Sequence, residues 1–387
     1  MVPHRVPRFS GFGVAAALLF LMEIIPSPAL AQTQPSAPSI KQAAPARDAN
    51  TIGIIRGAPE EGALPFVNEI ARVLARGQET GPNGELALRV LPIVGRGGVH
   101  DVRDVLSLAG VDMAIIQEPL LTRLHESKEL GDLKNRLVYI TKLFNEELHI
   151  IAREDIRQVS DLAGKLVNLG DSGGSAEAVA RDVFRTLGLQ VSEAHLGPDE
   201  AIEEMRQGKV AATAVLAAKP AALVERLTRG GGFHLIPIPF PTDAASYLPT
   251  SLRHTDYPNL IPAEGTLETV AVGTVLVAYN WPEKSSRYRL LGNFVDMFFS
   301  RFSEFQAASR GPKWQEINLA AVLPDWKRFK PAERWLQTSQ AQQTGVTSTS
   351  AVSQSNPSAT PAPARRSAET ERLFEEFLQW REQQGRR

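Results

Sequence analysis

Ser172 lies in the run Gly170-Asp171-Ser172-Gly173-Gly174, and four readings compete for it. Gly-Asp-Ser-Gly-Gly surrounds the nucleophile of chymotrypsin-like proteases, and it also fits the G-x-S-x-G elbow that exposes the serine of α/β-hydrolases. The protease chemistry needs His and Asp upstream in an all-β fold. His100, His125 and His149 are upstream, yet Ala176, Val179, Val183, Phe184 and Leu187 follow the motif at helical spacing, where a strand is required. The elbow needs an acid and then a histidine downstream, which Asp199 or Asp243 with His234 or His254 would have to supply; no HGGG-type oxyanion segment precedes them. The third reading is binding without reaction. A helix N-terminus presents unpaired N–H groups and the positive end of its dipole, so it holds an anion. Ser172 and Ser175 add hydroxyl donors, and Gly173 and Gly174 let backbone approach a ligand. In the fourth, the glycines only make a turn and Ser175 caps the helix.

Other residues with ligand chemistry stand at the ends of apolar runs. Arg56 and Gly57 close "NTIGIIRG"; the guanidinium fork of Arg56 fits a carboxylate, or pairs with Glu60 or Glu61. Arg96, Gly97 and Gly98 open the helical stretch "GVHDVRDVLSLAG", and Gln117 closes "VDMAIIQ". Asn145 and Glu147 fall between two apolar runs, as ligand contacts or as partners for local backbone. Lys219 would supply countercharge to an anion or stay solvated, and Tyr247 would close over a cleft or pack. The histidines are scattered, with no H-x₃-H, H-E-x-x-H or carboxylate loop, so neither metal nor other cofactor is expected.

The elements that must position these residues alternate. "NTIGIIRG" reads as a strand, and "LPFVNEIARVLARG" follows with Phe66, Ile70, Val73 and Leu74 on one helical face. "LALRVLPIVG", "VDMAIIQ", "RLVYITKLF", "ELHIIAR", "KLVNLG" and "VAATAVLAA" read as further strands, with helical stretches between most of them. Such alternation means α/β units with largely parallel strands. The order over 149–240 repeats that of the first part, which implies two lobes with a cleft between them. The long β-rich "TVAVGTVLVAYNW" and the amphipathic "SRYRLLGNFVDMFFSRFSEFQ" would return the chain to the first lobe, with hinge strands near 145–152 and 240–270.

The ends differ from this body. Residues 1–31 have His4, Arg5 and Arg8, then an apolar run, then Ala29-Leu30-Ala31, the pattern of a secretory signal peptide. Residues 32–49 and 337–366 are rich in Pro, Ala and Ser, as disordered tethers are. Residues 367–387 carry Leu373, Phe374, Phe377, Leu378 and Trp380 in a helix-compatible cluster, which would dock on the body, a partner or a membrane surface. The 387 residues include no cysteine, which excludes a thiol nucleophile and disulfide or Cys-metal staples. With 42 Lys and Arg against 43 Asp and Glu, no global field favours nucleic acid.

In sequence, "IRQVSDLAGKLVNLGDSGGSAEAVARDVFRTLGL" resembles the second-lobe signature of TAXI-type solute-binding proteins of TRAP transporters, a "DLxGKxVxxG" strand leading into a small-residue loop and a helix ending in "LG". "RVLPIVGRGGVHDVRDVLSLAGVDMAIIQ", "YITKLFNEELHIIAR" and "DYPNLIPAEGTLETVAVGTVLVAYNWP" resemble the flanking segments, in order, over about 50–336. The first loop, "RGAPEEGALP", departs from the glycine-rich Thr- and Tyr-bearing loop of that family. The resemblance implies a two-lobed type II periplasmic binding protein, α/β with a hinge: lobe 1 from 50–148 and 250–336, lobe 2 from 149–249. It implies a periplasmic, monomeric, non-enzymatic protein that captures a small anionic solute, of organic acid or amino acid class, for a TRAP-type permease. The ligand set it points to is Arg56, Gly57, Arg96, Gly97, Gly98, Gln117, Ser172, Gly173, Gly174, Ser175 and Lys219. A serine hydrolase acting through Ser172, and a non-transporting sensor or scaffold of the same fold, are the alternatives.

Overall fold

The computed structural model describes residues 49–57, 64–76, 88–228, 230–240, 247–307 and 311–349. The expected signal peptide, all but residue 49 of the first tether, Glu60 and Glu61, Asp243 and the C-terminal helix lie outside them.

Among the described residues the strands form one ten-stranded sheet, in the order β2-β1-β3-β10-β4-β7-β5-β6, with β8 beside β4 and β9 beside β10. β1 (Thr51–Arg56), β2 (Arg89–Val94) and β3 (Met113–Gln117) are mutually parallel, as are β5 (Leu166–Asn168), β6 (Ser192–Ala194) and β7 (Ala212–Ala217). Two long strands run antiparallel through both groups. β4 (Leu137–Arg153) joins the sequence runs "RLVYITKLF" and "ELHIIAR" into one strand, and β10 (Thr266–Tyr279) pairs with it. At Glu147 and Ala271, which face each other, both strands change neighbours. Before Glu147, β4 pairs with β10; after it, with β7 and β8 (Phe233–Leu235). β10 pairs with β9 (Leu248–Arg253) up to Ala271 and then with β3.

Three apolar clusters follow this division. The first lies around β1, β3 and the early part of β4. It takes in Ile70, Val73 and Leu74 of α1 (Leu64–Ala75), and Phe294, Val295 and Phe298 of α8 (Ser286–Ser300). Those residues recur every three or four positions, so each helix buries one stripe against the sheet. The other two clusters cover the β5–β7 half, one holding Val179, Val183 and Phe184 of α5 (Ser175–Thr186), the other Met205 of α6 (Pro198–Arg206). Each half therefore has its own core, and the molecule is two-lobed.

Residues 250–270 were expected in the first lobe. Here Leu252, Tyr257 and Ile261 pack with Val210, Val215 and Leu223, while Val270 sits among Val179 and Leu216. The chain re-enters the first lobe only at Ala271, because the antiparallel β9–β10 pair keeps both strands on the second. Helix α10 (Lys330–Thr349) also carries helical structure into 337–349, where a tether was expected.

Candidate functional site

In parallel α/β sheets ligands bind beyond the carboxyl ends of the strands. β1 ends there at Arg56 and β3 at Gln117. The Arg56 side chain is 1% exposed and donates Nη1–H to the Ile115 carbonyl at 3.0 Å, while Nη2 meets the Glu146 carboxylate. The other Glu146 oxygen accepts Gln117 Nε2–H at 2.8 Å. Arg56 is thus engaged by Glu146. Beside this group lies Asp101, fully buried, whose Oδ1 accepts Gly97 N–H at 3.0 Å. Burial pushes its carboxyl pKa up, against the pull of the Arg56 charge. A Cβ at Gly95 would lie 2.1 Å from Asp101 Oδ1, so the turn after β2 closes directly over that carboxylate.

The turn leads into α2 (Gly98–Ser107) through Gly97 and Gly98, at φ 77° and 57°. These left-handed conformations favour glycine, and they aim the first N–H groups of the helix at the other lobe. Gly98 N–H donates to Ser175 Oγ at 3.0 Å, and Val99 N–H to the Gly173 carbonyl at 3.1 Å. His100 Nε2 lies 3.1 Å from the Ser172 carbonyl. The orphan donors of α2 are therefore capped by the opposite lobe.

On that lobe, β5 ends at Asn168, and the chain turns through Gly170 and Gly173 (φ 77° and 76°) into α5. The N-cap of α5 is Gly174, with no side-chain cap; Ser175 is the first helical residue and spends its oxygen on α2. Glu177, three residues past the cap, reaches back to the N–H of Gly173, the residue before the cap, at 2.5 Å. Ser172 is exposed. The two imidazoles touching this loop do so at main-chain carbonyls: His100 at Ser172, and His195 Nδ1 at Gly170, 3.0 Å away. Activation of a serine requires a base on its hydroxyl, and this geometry does not supply one from either ring.

Beside the seam a cavity of about 400 Å³ opens between the lobes. Gln117, Thr122 and Arg123 line it on one side, and Ser175, Arg181 and Tyr247 on the other. Gln117 and Ser175 are each 1% exposed. The Tyr247 hydroxyl donates to Asp182 Oδ2 at 2.6 Å, and burial pushes its own pKa well above the usual phenol value. The sequence signature described as the NMT1-like family matches residues 74–310.

The chain belongs to the NMT1-like family.

Solved structures similar to this NMT1-like protein include the periplasmic aliphatic sulphonate binding protein SsuA from Escherichia coli, at 15% identity and a TM-score of 0.38, over 66% of this chain and 76% of that one. The alkanesulfonate-binding SsuA from Xanthomonas axonopodis pv. citri, bound to MOPS, is similar at 15% identity and 0.41, over 78% and 95%. The methionine binding protein MetQ is similar at 13% and 0.36, over 65% and 91%.

The remaining expected residues of the NMT1-like chain lie apart from the seam. Arg96 is exposed in the turn before α2, and Gly57 is buried at the end of β1. Lys219 faces β9: its ammonium donates to the Ser251 carbonyl at 2.6 Å and lies 3.5 Å from Asp256. Its N–H donates to Glu147 Oε2 at 2.9 Å, and Glu147 Oε1 accepts Lys313 Nζ at 2.6 Å. Glu147, at the crossing of the long strands, thus ties a second-lobe turn to a first-lobe segment. Asn145 N–H donates to Glu316 Oε2 at 3.3 Å.

Sequence reasoning passed over Glu146. A signal was present: successive strand residues face opposite sides, so adjacent acids in an apolar strand need two separate partner sets. Glu147 takes Lys313 and Lys219; Glu146 takes Arg56 and Gln117. For metals, Glu177, Glu193 and His195 bring ligand atoms within 4.8 Å of one another among the described residues. Arg181 already donates to Glu177 Oε1 at 2.6 Å and to Glu193 Oε1 at 2.8 Å, so the negative charge there is met by a guanidinium.

Proposed function

We propose that this NMT1-like protein is an extracytoplasmic solute-binding protein. It captures a small anionic, carboxylate-type solute between its lobes and hands it to a TRAP-type permease, as the TAXI proteins it resembles in sequence do. Residues 1–31 would direct export to the periplasm. The observation that carries the reading is the cleft itself. Two glycine turns from opposite lobes meet at Gly98 and Ser175, 3.0 Å apart, beside a cavity walled by both lobes.

The mechanism is closure about the β4–β10 crossing, where each lobe keeps its own core and the joint between them consists of two strands. When the lobes part, the Gly98 and Val99 N–H groups at the positive end of α2 lose their caps. An anion would then satisfy them, together with the Ser175 and Ser172 hydroxyls. Gly97 and Gly173 set the approach of the backbone. Arg56, held by Glu146, would lie beneath the site. No bond is made or broken in this cycle.

A ligand that binds the folded protein and not the unfolded chain raises its melting temperature by mass action. A thermal-shift screen of organic acids and amino acids, with mass spectrometry of whatever co-purifies, tests the reading. Stabilisation by at least one acid is expected. Complete absence of stabilisation, with no co-purified molecule, would overturn it.

A further inference from the structure

The Gln117 side chain has its two ends in different circumstances. Its Nε2–H donates to Glu146 Oε2 at 2.8 Å, and the other Glu146 oxygen meets the Arg56 guanidinium. A carboxylate held by a guanidinium only accepts hydrogen bonds, so the amide nitrogen must face Glu146 and the orientation of Gln117 is settled by its partner. Oε1 then points away with both lone pairs. It has no hydrogen-bond partner among the described residues, although the side chain is 1% exposed and lines the cavity between the lobes.

Buried polar groups are nearly always hydrogen-bonded, and an orphan acceptor destabilises the state that buries it. With the lobes in contact, that penalty falls at Gln117. Several polar groups around the cavity are donors. Ser175 Oγ accepts from Gly98, which leaves its own hydrogen to donate. Arg123 offers a guanidinium, and the Tyr247 hydroxyl is committed to Asp182. Arg123, Arg181 and Arg185 bring positive charge to the wall and Glu126 and Asp182 negative charge, and among these groups Gln117 Oε1 is a buried acceptor with no partner among the described residues.

We propose that Gln117 is a specificity-determining residue: it selects solutes that carry a hydrogen-bond donor beside their anionic group, namely hydroxy acids or amino acids, over plain carboxylates. This rests on the solute-binding reading above and narrows its substrate class. A donor that reaches Oε1 removes the penalty only in the closed state, so it also favours closure. A solute without one leaves the acceptor stranded, and sites built to pair with a polar group reject analogues that lack it.

The test is a set of matched acids differing only in the donor: propionate, lactate and alanine; succinate, malate and aspartate; and any acid that stabilises the protein, beside its deoxy or deamino analogue. Affinities are measured by calorimetry on the full chain and on Gln117→Met, which keeps the length of the side chain and removes the amide. In the wild type the donor-bearing member of a set should bind about tenfold tighter or more, and in Gln117→Met the ratio should fall to about twofold or less. Lactate against alanine separates a hydroxyl from an ammonium donor, and either preference supports the proposal. Equal affinity for acids with and without a donor in the wild type overturns it while leaving solute binding intact; this comparison needs no variant to fold. A preference that survives in Gln117→Met also overturns it. Failure of every acid to bind removes the solute-binding reading and the proposal together.

Discussion

A methyl group at position 98 would have to share space with the opposite lobe. An ideal Cβ there lies 2.1 Å from the Gly173 carbonyl oxygen and 2.8 Å from the Gly174 carbonyl carbon, both backbone atoms that cannot swing aside. Gly98→Ala should therefore part the lobes and break three contacts at once: Gly98 with Ser175, Val99 with Gly173, and His100 with Ser172. At about 1 kcal/mol per hydrogen bond the seam loses about 3 kcal/mol, roughly a hundredfold shift toward the open form. A separate cost, about 1 kcal/mol for placing alanine at φ 57°, falls on the first lobe whether the cleft is open or closed. Gly110→Ala isolates that second cost, since Gly110 has φ 85° and nothing within 4 Å of its Cβ position. Because the chain has no cysteine, cysteines introduced at exposed Ser107 and Gln207 can carry a dye pair on the two lobes without background. Lower transfer efficiency and a larger radius of gyration are expected for Gly98→Ala and not for Gly110→Ala. If both variants scatter and transfer like the wild type, the seam does not hold the lobes together and the reasoning fails.

Glu146→Ala removes a buried carboxylate that accepts from Arg56 and from the Gln117 amide, which should cost about 2 to 4 kcal/mol; urea unfolding checks this, and a loss below about 1 kcal/mol would refute it. Ser172→Ala removes an exposed hydroxyl and should leave stability within about 0.5 kcal/mol. Ser172 in the folded wild type should also resist a fluorophosphonate probe, and labelling detected by mass spectrometry would restore the hydrolase reading. Stability should also fall on acidification through His149, whose Nε2 lies 2.7 Å from the Tyr257 hydroxyl inside the second lobe. Burial pushes its pKa down from 6.5 to about 4. Between those values the unfolded chain binds the proton and the native state does not, so stability present above 6.5 is lost as pH falls and levels off below about 4, by at most about 3 kcal/mol. Asp101 and Glu147, whose pKa values burial raises, act in the opposite sense. The His149 share is therefore read as the difference from His149→Gln, whose profile should be flatter; identical slopes would refute it.

Much of the architecture was legible because apolar periodicity survives folding. The stripe through Val179, Val183 and Phe184 marked α5 before any coordinates, and with it the helix that excludes a protease strand after Ser172. Glycine at 97, 98 and 173 marked the turns that need left-handed backbone. What sequence could not supply was pairing across the chain. Arg56 has acids four and five residues away, and nothing local shows that it reaches Glu146, ninety residues on. Ser175 has the composition of a helix cap, and only the meeting of lobes reveals that it caps a different helix. The extent of the second lobe was misjudged for the same reason: whether residues 250–270 stay or leave depends on the β9–β10 pairing, which no single strand encodes.

The seam bears on how a solute would work here. The same α2 N–H groups that suit an anion are already satisfied by Ser175 and Gly173 across the seam. An incoming anion that takes them therefore exchanges one set of hydrogen bonds for another, and that exchange contributes little net free energy. Selectivity must come from groups that contact between the lobes leaves unsatisfied. Gln117 Oε1 is such a group at the wall between the lobes, with no partner among the described residues. Closure without solute is then stabilised by the seam and penalised at Gln117, whereas closure around the right solute keeps the charge satisfied and removes the penalty. A ligand shifts a two-state equilibrium only by its differential affinity for the two states. On the proposed reading, that difference arises chiefly at the Gln117 oxygen rather than at the glycine-serine loop that first marks the site in the sequence.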